Sequence, residues 1–538
     1  MAGLAAAFGS GAMTNSIDEL EFTDLILATG TNTTENHPVI GMKVKRAVRQ
    51  QGTKLIVIDP REIDLVKYAD IWLRQKPGTD VAVFNGLMNV IITEGLYAKE
   101  YVAERTEGFD ALKATVEKYT PEYVEKISGV PAEDLKKAAR MYAQAKRASI
   151  IYAMGLTQHI SGTDNVKSTA NLSMLCGNIG IEGGGVNPLR GQNNVQGACD
   201  MGGLPNVFPA YQQVGNEEAR KKFETAWHTT LSAKPGLTLV EIINAAGKGD
   251  IKALYIMGEN PLLSDPDLHH ATESLKKLDL LIVQDIFPTE TAQLADVVLP
   301  SASFAEKDGT FTNTERRVQR IRKIVDAPGE AKPDWEIIAG LSSRMGYPMN
   351  YSSAKEIFEE IAKVTPSYAG ISYERIEKEG IQWPCPTPEH QGTKFLHKDR
   401  FSRGLGLFHA IEYIPPAELP DKEYPFILST GRVLYHYHTG TMTRRAQGPN
   451  ERCPESLVEI NPADAAKFGI NEGQMIKVTS RRGTLKAKAQ ITQKSPQGTI
   501  FMNFHFAEAA VNLLTNPVLD PIGKIPEYKV CAVKLEAA

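Results

Sequence analysis

One arginine stands in a run of glycines and amides. From Gly184 to Gly197 the sequence reads GGVNPLRGQNNVQG, and Arg190 is its only charged residue. Glycine is costly inside helices and strands, and asparagine favours turns. The composition therefore describes a tight loop, not a core element. A guanidinium in such a loop offers a planar fork of donors that grips a small carboxylate with two parallel bonds. The plainer alternative is a surface loop with one solvated arginine. A second polar cluster, residues 430–443, reads TGRVLYHYHTGTMT and combines hydroxyls, glycines, His436 and His438. The i,i+2 spacing of the two histidines, with no carboxylate or thiolate beside them, argues against a metal pair.

These loops need a frame. Residues 25–28 form an apolar run that ends in Thr29-Gly30, and 54–58 form a second run, rich in β-branched residues and stopped by Asp59-Pro60. Helical spacing is seen over 42–50, 81–95 and 132–146, the last leading into a third strand-like run at 148–155. Alternation of this kind predicts α/β architecture with a mainly parallel sheet. It recurs at 253–258, 280–285 and 295–300. In such sheets ligands bind beyond the carboxyl ends of the strands, which makes the residues just after each run the candidates for a site. From 424 the pattern changes to short strands at 424–430, 457–460, 475–479 and 484–489, with a hairpin turn at Arg481-Arg482-Gly483 and a helix over 461–468 capped by Asn461 and opened by Pro462.

The expected fold class is α/β: two doubly wound, mainly parallel sheet domains followed by a C-terminal β-barrel-like domain. The boundaries read 1–191, 192–369, a Pro/Gly-rich connector at 370–422, and 423–538. With 538 residues, 42% hydrophobic and 23% charged, the chain has ordinary globular composition. A net charge of −4 gives no nucleic-acid signature. No apolar run approaches the roughly 18 residues that cross a bilayer. The first residues lack the charged start of a signal peptide, so the expected location is cytoplasmic. Five dispersed cysteines with no Cys-x-x-Cys pair argue against a zinc site or an iron–sulfur cluster held by these residues alone.

Residues 190–202, RGQNNVQGACDMG, resemble the substrate loop of molybdenum- or tungsten-dependent formate dehydrogenases, a branch of the dimethyl-sulfoxide-reductase group of molybdopterin enzymes. The resemblance runs over nearly the whole chain. It implies two molybdopterin guanine dinucleotides around one Mo or W, a ligand that needs glycine- and hydroxyl-rich loops for its pyrophosphates and carboxylates for its guanines. By this resemblance Arg190 holds formate and Gln192 contacts the cofactor. Gly30, Asn32, Asn36 and His37 in TGTNTTENHP contact one dinucleotide. Asp59 and Arg61 follow at the next strand end, where spacing alone equally fits a simple turn acid. Gly78 and Asp80 form a guanine-binding turn, or else Thr79 or Asp80 caps a helix. Met154, Gly155 and Gln158 face the cofactor, while His159 is read as a satisfied polar residue and not as a catalyst.

For the second dinucleotide the resemblance assigns Met257, Gly258, Glu259, Asp285, Thr289 and Thr291, and Asp334 as either a guanine contact or a helix N-cap. In the C-terminal domain Thr430, Arg432, His436, Tyr437, His438 and Thr439 make a pyrophosphate and pterin cradle, joined by Asn512, Tyr528 and Lys529.

The resemblance also implies parts that this sequence does not contain. These are an N-terminal domain whose four cysteines hold a 4Fe-4S cluster, a lysine between cluster and pterin, and a Cys- or selenocysteine-His pair that binds the metal just before an Ala-Gly-Leu segment. The chain opens Met1-Ala2-Gly3-Leu4, and Gly9–Asn15 resembles the family sequence that follows the ligand. One explanation is a selenocysteine stop codon upstream, with the frame read from the next start; a natural split or a deliberate truncation are the alternatives. Residues 305–320, which resemble the segment that packs on the cluster domain, would then be uncovered. The expected activity is oxidation of formate to CO2 or its reverse, passing electrons to iron–sulfur, flavin or hydrogenase-type subunits, with this chain inactive by itself. The alternatives are another molybdopterin oxidoreductase such as a nitrate reductase, which the Arg190 loop and residues 504–509 fit less well, or a cofactor-binding scaffold without redox activity.

Overall fold

The apolar runs become parallel strands. The computed structural model describes residues 1–538. Strands β1 (Leu25–Thr29), β2 (Lys54–Ile58), β3 (Ile71–Leu73), β4 (Ala148–Tyr152) and β5 (Val186–Pro188) form one sheet in the order β3-β2-β1-β4-β5. All its pairs are parallel. Every residue of β1 and β4 is buried, which is why these segments read as continuous apolar stretches without alternation. The helix Asp80–Thr93 is apolar almost all round and packs into the same core, where Leu27, Ile56, Phe84 and Ile150 meet. Strand order reverses between β1 and β4, and that reversal opens a crevice at the carboxyl ends.

The chain divides into two compact units: Met1–Gly191 together with Phe395–Ala538, and Gln192–Lys394. The second unit contains β6 (Ala253–Met257), β7 (Leu280–Asp285) and β8 (Val297–Pro300), parallel in the order β8-β7-β6. This sheet was expected to be doubly wound. It has three strands in simple sequence and no reversal, because the next strand-forming stretches, Gly309–Thr312 and Arg317–Ile321, fold back as an antiparallel pair extended by Ile381–Gln382. Arg316, at φ 69°, makes the turn between them.

The third architecture is a closed barrel in the first unit. Strands β9 (Phe426–Gly431), β10 (Leu457–Ile460), β11 (Met475–Thr479), β12 (Thr484–Ile491), β13 (Thr499–Asn503) and β14 (Cys531–Ala537) close in the order β9-β13-β10-β12-β11-β14. Burial alternates along β9 and β11, as a one-sided barrel wall requires. Asn461 caps its helix by accepting the Ala463 N–H at 3.1 Å.

Residues 370–422 are folded, where a connector was expected. Trp383 and Cys385 are buried in the second unit. Phe401 and Phe408 belong to the core of the first, and Gly406–Leu407 pairs with Thr106–Glu107. A few aromatics spaced among charges supply the burial that composition concealed. No helix is long and apolar enough to cross a membrane.

Candidate functional site

The five loops that leave the carboxyl ends of β1–β5 carry the largest single group of candidate residues. Two glycines set their spacing. Gly30 follows β1 at φ 53°, and Gly155 follows β4; the Gly155 N–H donates to the Gly30 carbonyl at 3.0 Å. A Cβ on Gly30 would lie 2.3 Å from the Leu156 nitrogen, and one on Gly155 would lie 2.6 Å from the Gly30 oxygen. Only glycines allow the ends of β1 and β4 to touch at the switch point.

The loop after β1 holds an unusual density of unspent polar groups. Seven buried side-chain atoms in nine residues have no hydrogen-bond partner: Thr29 Oγ1, Thr31 Oγ1, Asn32 Oδ1, Thr33 Oγ1, Glu35 Oε2, Asn36 Oδ1 and His37 Nδ1. Folded proteins satisfy nearly all such groups, so a cluster of this kind marks a ligand surface. His37 Nε2 lies 2.7 Å from the Arg190 carbonyl. A carbonyl only accepts, so Nε2 carries the proton. Burial lowers the ring's pKa, with the Arg432 charge adding to it, which keeps the ring neutral and leaves Nδ1 as a bare acceptor. Arg190 follows β5, and its Nη2 donates to the Gly11 carbonyl at 3.3 Å.

Two buried carboxyls line the next loops. Asp59 accepts the Arg61 N–H at 2.9 Å, a turn bond, and burial raises its pKa to about 6. Asp80 opens the helix Asp80–Thr93 without capping it. Its partner is Gln75 Nε2 at 3.2 Å, and burial raises its pKa to about 7. Thr79 bonds back to the Lys76 carbonyl at 2.7 Å, so neither residue makes the side-chain cap that spacing allowed. Gly78, at φ 82°, lies against Pro416. Arg61 Nε and Nη2 grip Glu459 of β10, and its guanidinium sits 4.0 Å from the Phe501 ring.

The barrel adds the cationic side of the site. Lys529 donates from Nζ to the Thr430 carbonyl at 2.5 Å and from its backbone N–H to the Gln158 carbonyl at 3.4 Å. Burial, with the Arg432 charge, lowers its pKa to about 7, against the pull of Asp59. Thr430 Oγ1 bonds to the Tyr528 carbonyl at 2.9 Å. Arg432 Nη1 donates to the Gly191 carbonyl at 2.7 Å. Tyr437, His438 and Thr439 continue the loop: the Tyr437 N–H bonds Thr443 Oγ1 at 3.1 Å, His438 takes a positive φ of 48°, and Thr439 meets Thr441 hydroxyl to hydroxyl at 3.1 Å. His436 spends Nε2 on the Cys453 carbonyl at 2.6 Å and Nδ1 on Thr443 at 3.1 Å, so it has no nitrogen left for a metal. No group of three or more His, Cys, Asp or Glu is arranged to hold an ion. Asn512 is buried beside Thr515. Met154 is half-exposed at 38%, and His159 is buried with Nε2 3.0 Å from the Gly155 carbonyl.

Within the second unit, Gly258 ends β6 at φ 63° with open space where a side chain would stand. Met257 is 52% exposed beside it. Glu259 accepts from the Asn260 N–H and the Ser264 hydroxyl, and Asp285 accepts the Ile286 N–H at 2.7 Å. Thr289 and Thr291 are buried: Thr291 donates to Asn260 Oδ1 of the loop after β6 at 2.7 Å, and Thr289 caps the Ala292 N–H within its own turn. Asp334 opens the helix Asp334–Arg344 without a side-chain cap and instead pairs with Lys307 and Gln284. Gln192 is the first residue of this unit.

Sequence reasoning did not single out Thr31, Thr33, Glu35 or Gln75. Their signal was their place in strand-end loops, since nothing in their types distinguishes them from ordinary turn residues.

The family of this architecture can now be stated. Residues 3–344 match the molybdopterin oxidoreductase family and residues 426–532 the molydopterin dinucleotide binding domain. The chain belongs to the molybdopterin oxidoreductases. It is 57% identical to the F420-dependent formate dehydrogenase subunit alpha of Methanocaldococcus jannaschii, over 99% of this chain and 79% of that protein. It is 43% identical to formate dehydrogenase H of Escherichia coli, over 100% of this chain and 76% of the relative. Acetylene hydratase from Pelobacter acetylenicus shares the fold, with a TM-score of 0.78 at 23% identity over 100% of this chain and 80% of that one.

Proposed function

We propose that this chain is the major part of a formate dehydrogenase alpha subunit that oxidises formate to CO2, or runs the reverse, with two molybdopterin guanine dinucleotides and Mo or W. The observation that carries the reading is Arg190, presented at the end of β5 beside a loop with seven buried polar atoms that lack a hydrogen-bond partner. The residues fit the ligand. Hydroxyls and amides of the β1 loop suit pyrophosphate and pterin edges, Arg432 and Lys529 suit phosphate charge, and Asp59 and Asp80 gain partners if guanine N1 and N2 donate to them. When bound, the metal–pterin group supplies the two-electron acceptor.

The chain's own part is binding and orientation. Arg190 grips both formate oxygens through its fork, which leaves the C–H as the one edge facing away from the guanidinium.

Four of the five thiols of this chain do not suit the metal. Burial raises the pKa of Cys176 and Cys531 to about 12 and also raises that of Cys453. Cys385 gives its proton to the His390 carbonyl at 3.2 Å. We place the thiolate or selenolate ligand, the 4Fe-4S cluster and the electron-transfer subunits outside these residues, and expect no turnover from this chain by itself. Metal analysis with an anaerobic formate–viologen assay tests the reading. An assembled, metal-loaded subunit that reduces dye with formate supports it, whereas a loaded subunit inert to formate rejects it.

A further inference from the structure

We infer that His37 and Arg432 form a two-point clip on the Arg190–Gly191 peptide and are positioning residues for the substrate arginine. Two successive carbonyls are held by side chains from opposite halves of the first unit. The Arg190 oxygen receives His37 Nε2 at 2.7 Å, from the loop after β1. The Gly191 oxygen receives Arg432 Nη1 at 2.7 Å, from the loop after β9. Just before them, the Leu189 N–H bonds the Tyr152 carbonyl of β4 at 2.8 Å. Sheet hydrogen bonding thus stops where the clip begins.

The residue types fit this duty. Gly191 admits the guanidinium closely, since a Cβ there would lie 2.9 Å from Arg432 Nη2. Arg432 is within ion-pair distance of no carboxylate. A guanidinium buried without a counter-charge is expensive, so its place needs a reason beyond stability. His37 likewise spends its single N–H on a carbonyl outside its own element. The Arg190 side chain swings from the backbone that these two groups fix. A guanidinium displaced by about 1 Å loses its two-pronged grip on a carboxylate.

This inference rests on Arg190 being the formate residue, and its test separates the two ideas. Trypsin cuts after arginine, and the bond it would cut here is the clipped peptide itself. In the full chain, His37→Ala and Arg432→Gln are expected to speed cleavage at Arg190–Gly191 roughly five- to tenfold, the effect of losing one buried hydrogen bond. Cleavage at Arg400 and Arg445 should stay unchanged. His37→Gln, whose amide nitrogen reaches as far as Nε2, should stay near the wild-type rate, and the shorter His37→Asn should not. In the assembled enzyme, His37→Ala should raise KM for formate by a similar factor with a smaller change in kcat. Wild-type cleavage in His37→Ala, or equal acceleration at all arginines, overturns the clip. If His37→Ala does not fold, the Gln–Asn pair decides: equal rates overturn the clip, and a faster Asn variant supports it. If the wild-type enzyme ignores formate, the kinetic arm falls with the function reading while the protease arm still judges the clip.

Discussion

Arg61 and Glu459 meet in a two-pronged ion pair, with Nε 2.8 Å from Oε2, that ties the turn after β2 to barrel strand β10. Both side chains are nearly buried, at 12% and 8% exposure, and Glu35 adds a weaker contact at 3.9 Å. Removing one partner strands the other charge. Glu459→Gln is expected to destabilise the protein by about 3 kcal/mol. Replacing both residues with leucine should recover most of that loss, as read from denaturant melts of the three variants.

Arg190→Lys should raise KM for formate and lower kcat in the assembled enzyme. An ammonium keeps the charge but loses the fork, so kcat/KM is expected to fall about 10- to 100-fold, or roughly 1.4–2.7 kcal/mol. The formate–viologen assay reads both constants, and unchanged kinetics would remove Arg190 from substrate binding.

Asp80 makes stability depend on pH in a set direction. Burial raises its pKa from 3.8 to about 7 in the fold. Below pH about 4 both folded and unfolded chains hold the proton. From there to about 7 the unfolded chain releases it while the folded chain keeps it, so stability falls as pH rises through this window. Asp80→Asn should remove that slope and stabilise the cofactor-free protein at pH 8 by an amount of the order of a few kcal/mol. The same variant should hold the dinucleotide less tightly. Melting at pH 5 and pH 8, with guanine release measured in parallel, checks both signs.

Thr31→Val and Thr33→Val should likewise have opposite effects on the empty and the loaded protein. Each removes a buried hydroxyl that lacks a partner. Without cofactor, each is expected to stabilise by about 1 kcal/mol. With cofactor, retention through gel filtration should fall. A variant that loses stability without cofactor would show that the hydroxyl serves the fold.

Gly30 and Gly258 make a matched pair. Both have positive φ, 53° and 63°, but an added methyl on Gly30 meets the Leu156 nitrogen and one on Gly258 meets nothing. Gly30→Ala should cost more than about 3 kcal/mol, and Gly258→Ala about 1. Thermal melts distinguish them.

The elements that sequence made legible are those whose burial leaves a local pattern. β1, β2 and β4 read as strands because a sheet covered on both faces needs unbroken apolar runs. Strand order leaves no such trace, and the second sheet therefore looked doubly wound when its three strands follow in sequence. Residues 370–422 looked like a connector because Phe401, Phe408 and Trp383 are isolated among charges. In the site, loop composition pointed to residues 29–37 and to Arg190. It could not show that Arg61 is held by a glutamate 398 positions away, or that the Thr291 hydroxyl is spent on Asn260, 31 positions away in another loop. Contacts between residues so distant in sequence are set by the fold, and local types do not encode them.

The barrel closes on its final strand, since β14 pairs with both β9 and β11. During synthesis this strand emerges after every other barrel strand, and the loops that carry Arg432 and Lys529 have no finished wall until it does. The β1 loop, by contrast, precedes the first barrel strand by nearly 400 residues. A nascent chain thus exposes its thirsty polar pocket long before the lid that will cover it exists. A ligand that needs both the β1 loop and the barrel loops can be enclosed only after β14 is in place.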